Sequence, residues 1–151
     1  TGNVDCLWNG FTYSEERAEA MALSAPYMTN RQVVVTLGTK GVNSLSDLEG
    51  KTLMMAKEGD SPANDQIRKE LPSRCPSLRI QDTEHFYDIE VYNRCAEQGN
   101  LLLNVECWKD IHPSLLTIPV DWKYEIPYGL LYPLHPAPEI LEFLDVIKTS
   151  A

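Results

Sequence analysis

Apolar and polar positions follow two rhythms that take turns along the chain. Short apolar runs of strand length appear at VDCLWNG (4–10), NRQVVVTLG (30–38), TLMMA (52–56), SLRIQDTE (77–84), NLLLNVECW (100–108), SLLTIPVDW (114–122) and IPYGLLYPL (126–134). The run NRQVVVTLG is rich in β-branched residues, which fit a pleated, half-buried surface. Between them lie stretches with helical spacing: TYSEERAEAM (12–21), KEGDSPANDQIRKEL (57–71), FYDIEVYNRCAEQG (86–99) and APEILEFLDVIKT (137–149). In the last of these Ile140, Phe143, Leu144 and Ile147 fall on one face. The first run, 4–10, reads as a buried strand.

The punctuation agrees with this reading. Thr12 and Glu15 stand at capping-box spacing, Ser61 precedes Pro62 as N-cap before a first helical position, and Gly99 ends the third helical stretch. Residues 41–51 read as a loop with one helical turn. Strands alternating with helices predict an α/β fold with a mostly parallel sheet. In such sheets ligands gather beyond the strands' carboxyl ends, near helix N-termini. Two strand-to-helix turns qualify: Asn9-Gly10-Phe11-Thr12, leading to Arg17, and Glu58-Gly59-Asp60-Ser61, leading to Pro62.

Length and composition narrow the field. The 151 residues suit one compact core, and 43% hydrophobic with 23% charged residues is ordinary for a globular protein. No apolar run approaches the ~20 residues of a membrane span. The opening TGNVDCLWNG has neither the basic segment nor the apolar stretch of a signal peptide. The formal charge of −9, from 13 basic and 22 acidic side chains, argues against a nucleic-acid surface on this segment.

Candidate chemistry is sparse. Cys6, Cys75, Cys95 and Cys107 form no CxxC pair and read as buried free thiols or as one disulfide plus two thiols. The histidines do not flank them at zinc spacing, so no metal and no cofactor is expected. His112 and His135 each precede proline, in loop or strand-edge positions. No Gly-x-Ser-x-Gly elbow, Walker loop or dinucleotide glycine fingerprint occurs, which speaks against an enzyme.

Arg17 is the most informative residue. A cation near a helix start opposes the macrodipole by about 0.3–1 kcal/mol. A charge-assisted bond to a carboxylate contributes more, about 1.5–3 kcal/mol, and the guanidinium fork matches carboxylate geometry. An arriving anionic ligand would explain the placement; pairing with Glu16, Glu19 or a carboxylate elsewhere in the fold would explain it equally. Trp8 and Phe11 could wall a pocket or belong to the core. Ser61 could cap a helix, touch a ligand, or both. Glu106, in an apolar strand, needs a partner such as a ligand ammonium, Lys109 or a backbone group.

The segment Gly2-Asn3-Val4-Asp5, Gly10-Phe11-Thr12, Glu16-Arg17, Leu23-Ser24-Ala25-Pro26-Tyr27 resembles the bacterial extracellular solute-binding proteins for amino acids, and VNSLSDLEGKTL (42–53) continues the likeness. Leu23 replaces the family's usual Phe. The resemblance implies a periplasmic-binding-protein type II fold and capture of an amino acid or other small carboxylate in a cleft between lobes. Arg17 would hold the α-carboxylate, Gly10 and Thr12 would touch the ligand, and Glu106 would meet the ammonium. Gly59-Asp60-Ser61 falls where the family offers a Gly-Thr-Thr helix start, with Asp60 departing from that pattern.

A second likeness covers 87–136, where Asn-Arg-Cys, Glu-Cys-Trp, His-Pro-Ser-Leu and Pro-Tyr-Gly-Leu-Leu-Tyr are similar to effector-binding domains of LysR-type regulators. Those share the two-lobed fold. Together the likenesses imply an incomplete first lobe (1–28), crossover strands with a nearly complete second lobe (29–131), and a C-terminal helix (132–151) packing back toward the first. The implied partners are a membrane transporter outside the cytoplasm or, in a cytoplasmic regulator, a fused DNA-binding domain. A homodimer or strand exchange would cover apolar surface left bare by a partial lobe.

Overall fold

The computed structural model describes residues 4–8, 15–38, 41–59, 61–84, 88–118, 120 and 124–150, with backbone alone for 15–17 and 149–150. The chain divides into two compact units, Arg31–Glu125 and the combination of Thr1–Asn30 with Ile126–Ala151. The fold is α/β.

The larger unit holds β3 (Met28–Leu37, entering from the other unit), β4 (Thr52–Ala56), α2 (Pro62–Arg74), β5 (Arg79–Thr83), α3 (Ile89–Gln98), β6 (Leu101–Val105) and β7 (Leu115–Ile118). Its strands lie in the order β5-β4-β6-β3-β7. β4 runs parallel to β5 and β6, whereas β3 is antiparallel to β6 and β7. The sheet is therefore mixed rather than mostly parallel. β4 and β5 are joined through α2 and β5 and β6 through α3, which allows parallel strands, while β3 comes from outside this series and lies antiparallel between β6 and β7.

β4 and β6 are buried on both faces, as strands sandwiched by helices must be. The pleat then sorts their side chains. Leu53, Met55, Leu101 and Leu103 pack with Ile67 and Leu71 of α2, while Met54 and Leu102 pack with Val91, Tyr92 and Cys95 of α3. α3 starts at Asp88, whose carboxylate accepts from Glu90 N–H at 3.0 Å, and stops at Gly99 in the left-handed region, φ 62°. The loop before β4 contains a 3-10 turn, Leu45–Leu48, held by Asp47, which accepts from the backbone N–H of Asn43 and Ser44 at 3.0 and 2.9 Å.

The smaller unit contains β1 (Leu7–Trp8), α1 (Glu15–Ala20), β2 (Met21–Leu23), β9 (Leu130–Pro133) and α4 (Pro138–Ser150). β9 is the centre of a three-stranded antiparallel sheet, β1-β9-β2. Leu130, Ile140 and Leu144 form its core, with Cys6, Tyr27, Tyr132 and Ile147 packed around them. The run at 126–134 splits into β8 (Glu125–Tyr128), which pairs with β3, and β9. The break falls at Gly129, where a Cβ would stand 3.1–3.3 Å from Leu23 and Ser24.

The expectation of a buried strand at 4–10 is corrected. β1 spans two residues at the sheet's edge, with Leu7 38% and Trp8 57% exposed. An edge strand has one neighbour, and the sequence pattern does not say which strand is last. No helix among the described residues is long and apolar enough to cross a membrane.

Candidate functional site

The start of α2 gathers polar groups that the core does not use. β4 ends at Ala56, and the chain turns through Gly59, whose φ of 91° suits glycine. Gly59 N–H donates to both carboxylate oxygens of Asp65 at 3.0 and 3.2 Å, so Asp65 fixes the turn. Ser61 follows as N-cap in an extended conformation, and Pro62 takes the first helical position, where a missing N–H is harmless.

Ser61 is buried at 7% exposure. A serine N-cap ordinarily accepts from the second or third helical N–H. Here the hydroxyl makes no such bond, and it has no other partner among the described residues. Three residues on, Asn64 is 1% exposed. Its Oδ1 accepts from Gln32 Nε2 of β3 at 2.9 Å, and its Nδ2 has no partner among the described residues. The helix start thus carries a buried hydroxyl and a buried amide NH2, neither with a partner among the described residues, next to first-turn N–H groups at the positive end of the macrodipole. That set is suited to an oxygen acceptor such as a carboxylate.

Below this turn, Arg68 Nη2 donates to the Ala56 carbonyl and to Asp82 Oδ1, both at 2.7 Å. It ties α2 to the ends of β4 and β5.

Gly10, Phe11, Thr12 and Asp60 lie outside the described residues, as does the side chain of Arg17, whose backbone is in α1. Trp8 packs edge-on against Tyr27 and Phe143, at centroid distances of 5.5 and 5.7 Å. Glu106 does not sit in a strand. β6 ends at Val105, and Glu106 opens an exposed 3-10 turn, Glu106–Trp108. Exposure to water removes the cost that a strand-buried carboxylate would carry.

Sequence reasoning missed Gln32 and Asn64. Asn64 precedes Ile67 and Leu71 at helical spacing, and a polar residue on an apolar stripe was the available signal.

None of the four cysteines is in a disulfide: Cys75 and Cys95 are buried, Cys6 is intermediate and Cys107 exposed. Among the described residues no group of three or more His, Cys, Asp or Glu could hold a metal ion. His112 accepts from Ser114 N–H through Nδ1, and its Nε2 meets Asn93 Oδ1, linking its loop to α3.

Residues 1–123 match the family model described as bacterial extracellular solute-binding proteins, family 3. No curated protein matches the chain. Among solved structures, the second substrate-binding domain of GlnP from Lactococcus lactis superposes with a TM-score of 0.69 at 22% identity over 99% of this chain. The second substrate-binding domain of a putative amino acid ABC transporter from Streptococcus pneumoniae gives 0.72 at 17% identity, also over 99%. An ancestral cationic amino acid solute-binding protein gives 0.68 at 16% over 99%. The chain spans 64%, 67% and 64% of the length of these three, respectively.

Proposed function

Because the chain belongs to the bacterial extracellular solute-binding proteins, family 3, we propose that it binds an amino acid without transforming it. The match over residues 1–123 carries this reading. The polar start of α2 supports it, since its donors suit a carboxylate. In this reading Arg17 pairs with the α-carboxylate, assisted by Gly10, Thr12 and the turn at Asp60 and Ser61. Trp8 and Phe11 flank the ligand, and exposed Glu106 remains the acid for its ammonium group. Residues 29–131 serve as the second lobe of a type II binding fold, and 1–28 with 132–151 as part of the first.

The setting proposed is outside the cytoplasm, with a membrane ABC transporter as partner. That fits the family's description as extracellular and the amino acid transporter domain among the similar structures. The likeness of 87–136 to LysR-type effector domains supports a second setting, in which a fused DNA-binding domain reads the same ligand. The free thiols suit that reducing compartment. A homodimer or strand exchange covering apolar surface left by a partial first lobe belongs to either setting.

Calorimetric titration of the full chain with the twenty L-amino acids tests the proposal. Saturable heat with at least one of them, lost in Arg17→Ala, is the expected result. Ligand at about 100 times Kd would also stabilise the fold by about 2.7 kcal/mol. Silence across the whole panel would overturn it.

A further inference from the structure

We propose that Gln32 is a positioning residue that fixes the Asn64 amide so that its NH2, together with the Ser61 hydroxyl, donates to an oxygen of the bound amino acid. This rests on the amino-acid-binding reading above and deepens it. Two buried polar atoms without partners, Ser61 Oγ and Asn64 Nδ2, stand three residues apart at one helix start. Buried polar groups are nearly always paired, so each exception calls for an explanation.

The arrangement also has a direction. An asparagine amide can face a ligand with its carbonyl or with its NH2. Gln32 Nε2 occupies the carbonyl at 2.9 Å, which leaves the donor end for the ligand. Gln32 is itself anchored: its backbone N–H donates to the Tyr124 carbonyl at 3.0 Å, and it pairs with Val105 in the β3–β6 ladder. Ser61, meanwhile, withholds its oxygen from the cap bond that a serine in this place normally makes. Neutral donors joined to first-turn N–H groups select an acceptor and disfavour an ammonium.

The probes are the twenty L-amino acids, titrated into the full chain and into Asn64→Asp, Gln32→Glu and their double variant. Asn64→Asp replaces the donor with an acceptor of the same shape. Gln32→Glu removes the donor that engages Asn64 Oδ1, so the amide turns its NH2 toward the new carboxylate. Each single change should weaken binding about tenfold or more, as expected for a lost charge-assisted bond. The double variant should lose clearly less than the two losses combined, because Gln32 acts through Asn64. A purely structural role would lower thermal stability and leave the affinity of the folded protein unchanged.

Wild-type affinity in Asn64→Asp and Gln32→Glu overturns the inference while leaving the amino-acid reading intact. So do additive losses. If no amino acid binds the wild type, that reading fails and the inference falls with it. Thermal melts report folding, and Ser61→Ala, expected to weaken binding as well, carries the test should an isosteric variant not fold.

Discussion

The Tyr92 hydroxyl on α3 donates to Asn104 Oδ1 on β6 at 2.9 Å, and both residues are almost wholly buried, at 1% and 0% exposure. Asn104 Nδ2 in turn donates to the Trp108 carbonyl at 3.2 Å. The bond holds α3 against the sheet and pins the turn that carries Glu106. Tyr92→Phe should leave Asn104 Oδ1 buried and unsatisfied, and should destabilise the fold by about 1–3 kcal/mol. Urea denaturation followed by far-UV circular dichroism would show this as a lower midpoint.

The buried thiols make a pH prediction. Burial pushes the Cys95 thiol up from 9.0 to about 12, and also raises Cys75, where Glu49 adds to the shift and Arg74 opposes it. A thiol whose folded pKa exceeds its unfolded value favours folding until the unfolded chain begins to ionise. Stability should therefore hold below pH 9 and fall as pH rises from 9 toward 12. Cys95→Ala should flatten that decline. In the native state at pH 8 a thiol reagent should modify exposed Cys107 and spare Cys75 and Cys95 until denaturant is added.

Gly99 closes α3 with φ 62°, and its N–H donates to the Ala96 carbonyl at 3.3 Å. Any side chain here meets left-handed strain, so Gly99→Ala should cost about 1 kcal/mol in thermal unfolding. A melting temperature equal to wild type would show that the cap relaxes.

Trp8 and Phe143 join β1 to α4 by an edge contact at 5.7 Å. A double-mutant cycle with Trp8→Leu and Phe143→Leu should give a coupling of about 0.5–1.5 kcal/mol in chemical denaturation. Zero coupling would mean that β1 and α4 are held by other contacts.

Much of the fold was legible. β4 falls at Thr52–Ala56, where the apolar run predicted it, and α2 begins at Pro62, because proline fits the first helical position. α3 ends before Gly99 for the same kind of local reason. The end of β6 was not legible. Its last partner is Gln32, opposite Val105; β3 itself runs back to Met28, yet Glu106 turns out of the ladder into a 3-10 turn. Of the candidate site, the sequence pointed to Ser61 but passed over Asn64 and Gln32, which are 32 positions apart and joined by a side-chain bond.

By itself, the sequence determined what short-range physics controls: the alternation of strands and helices, their caps and stops, the α/β class and the absence of any long apolar span. The tertiary structure decided the mixed direction of the sheet, the edge position of β1, the exposure of Glu106 and the meeting of Gln32 with Asn64. Those outcomes depend on which distant segments lie side by side. Strand order and register are set by packing among all the elements at once, and no local stretch of residues encodes them.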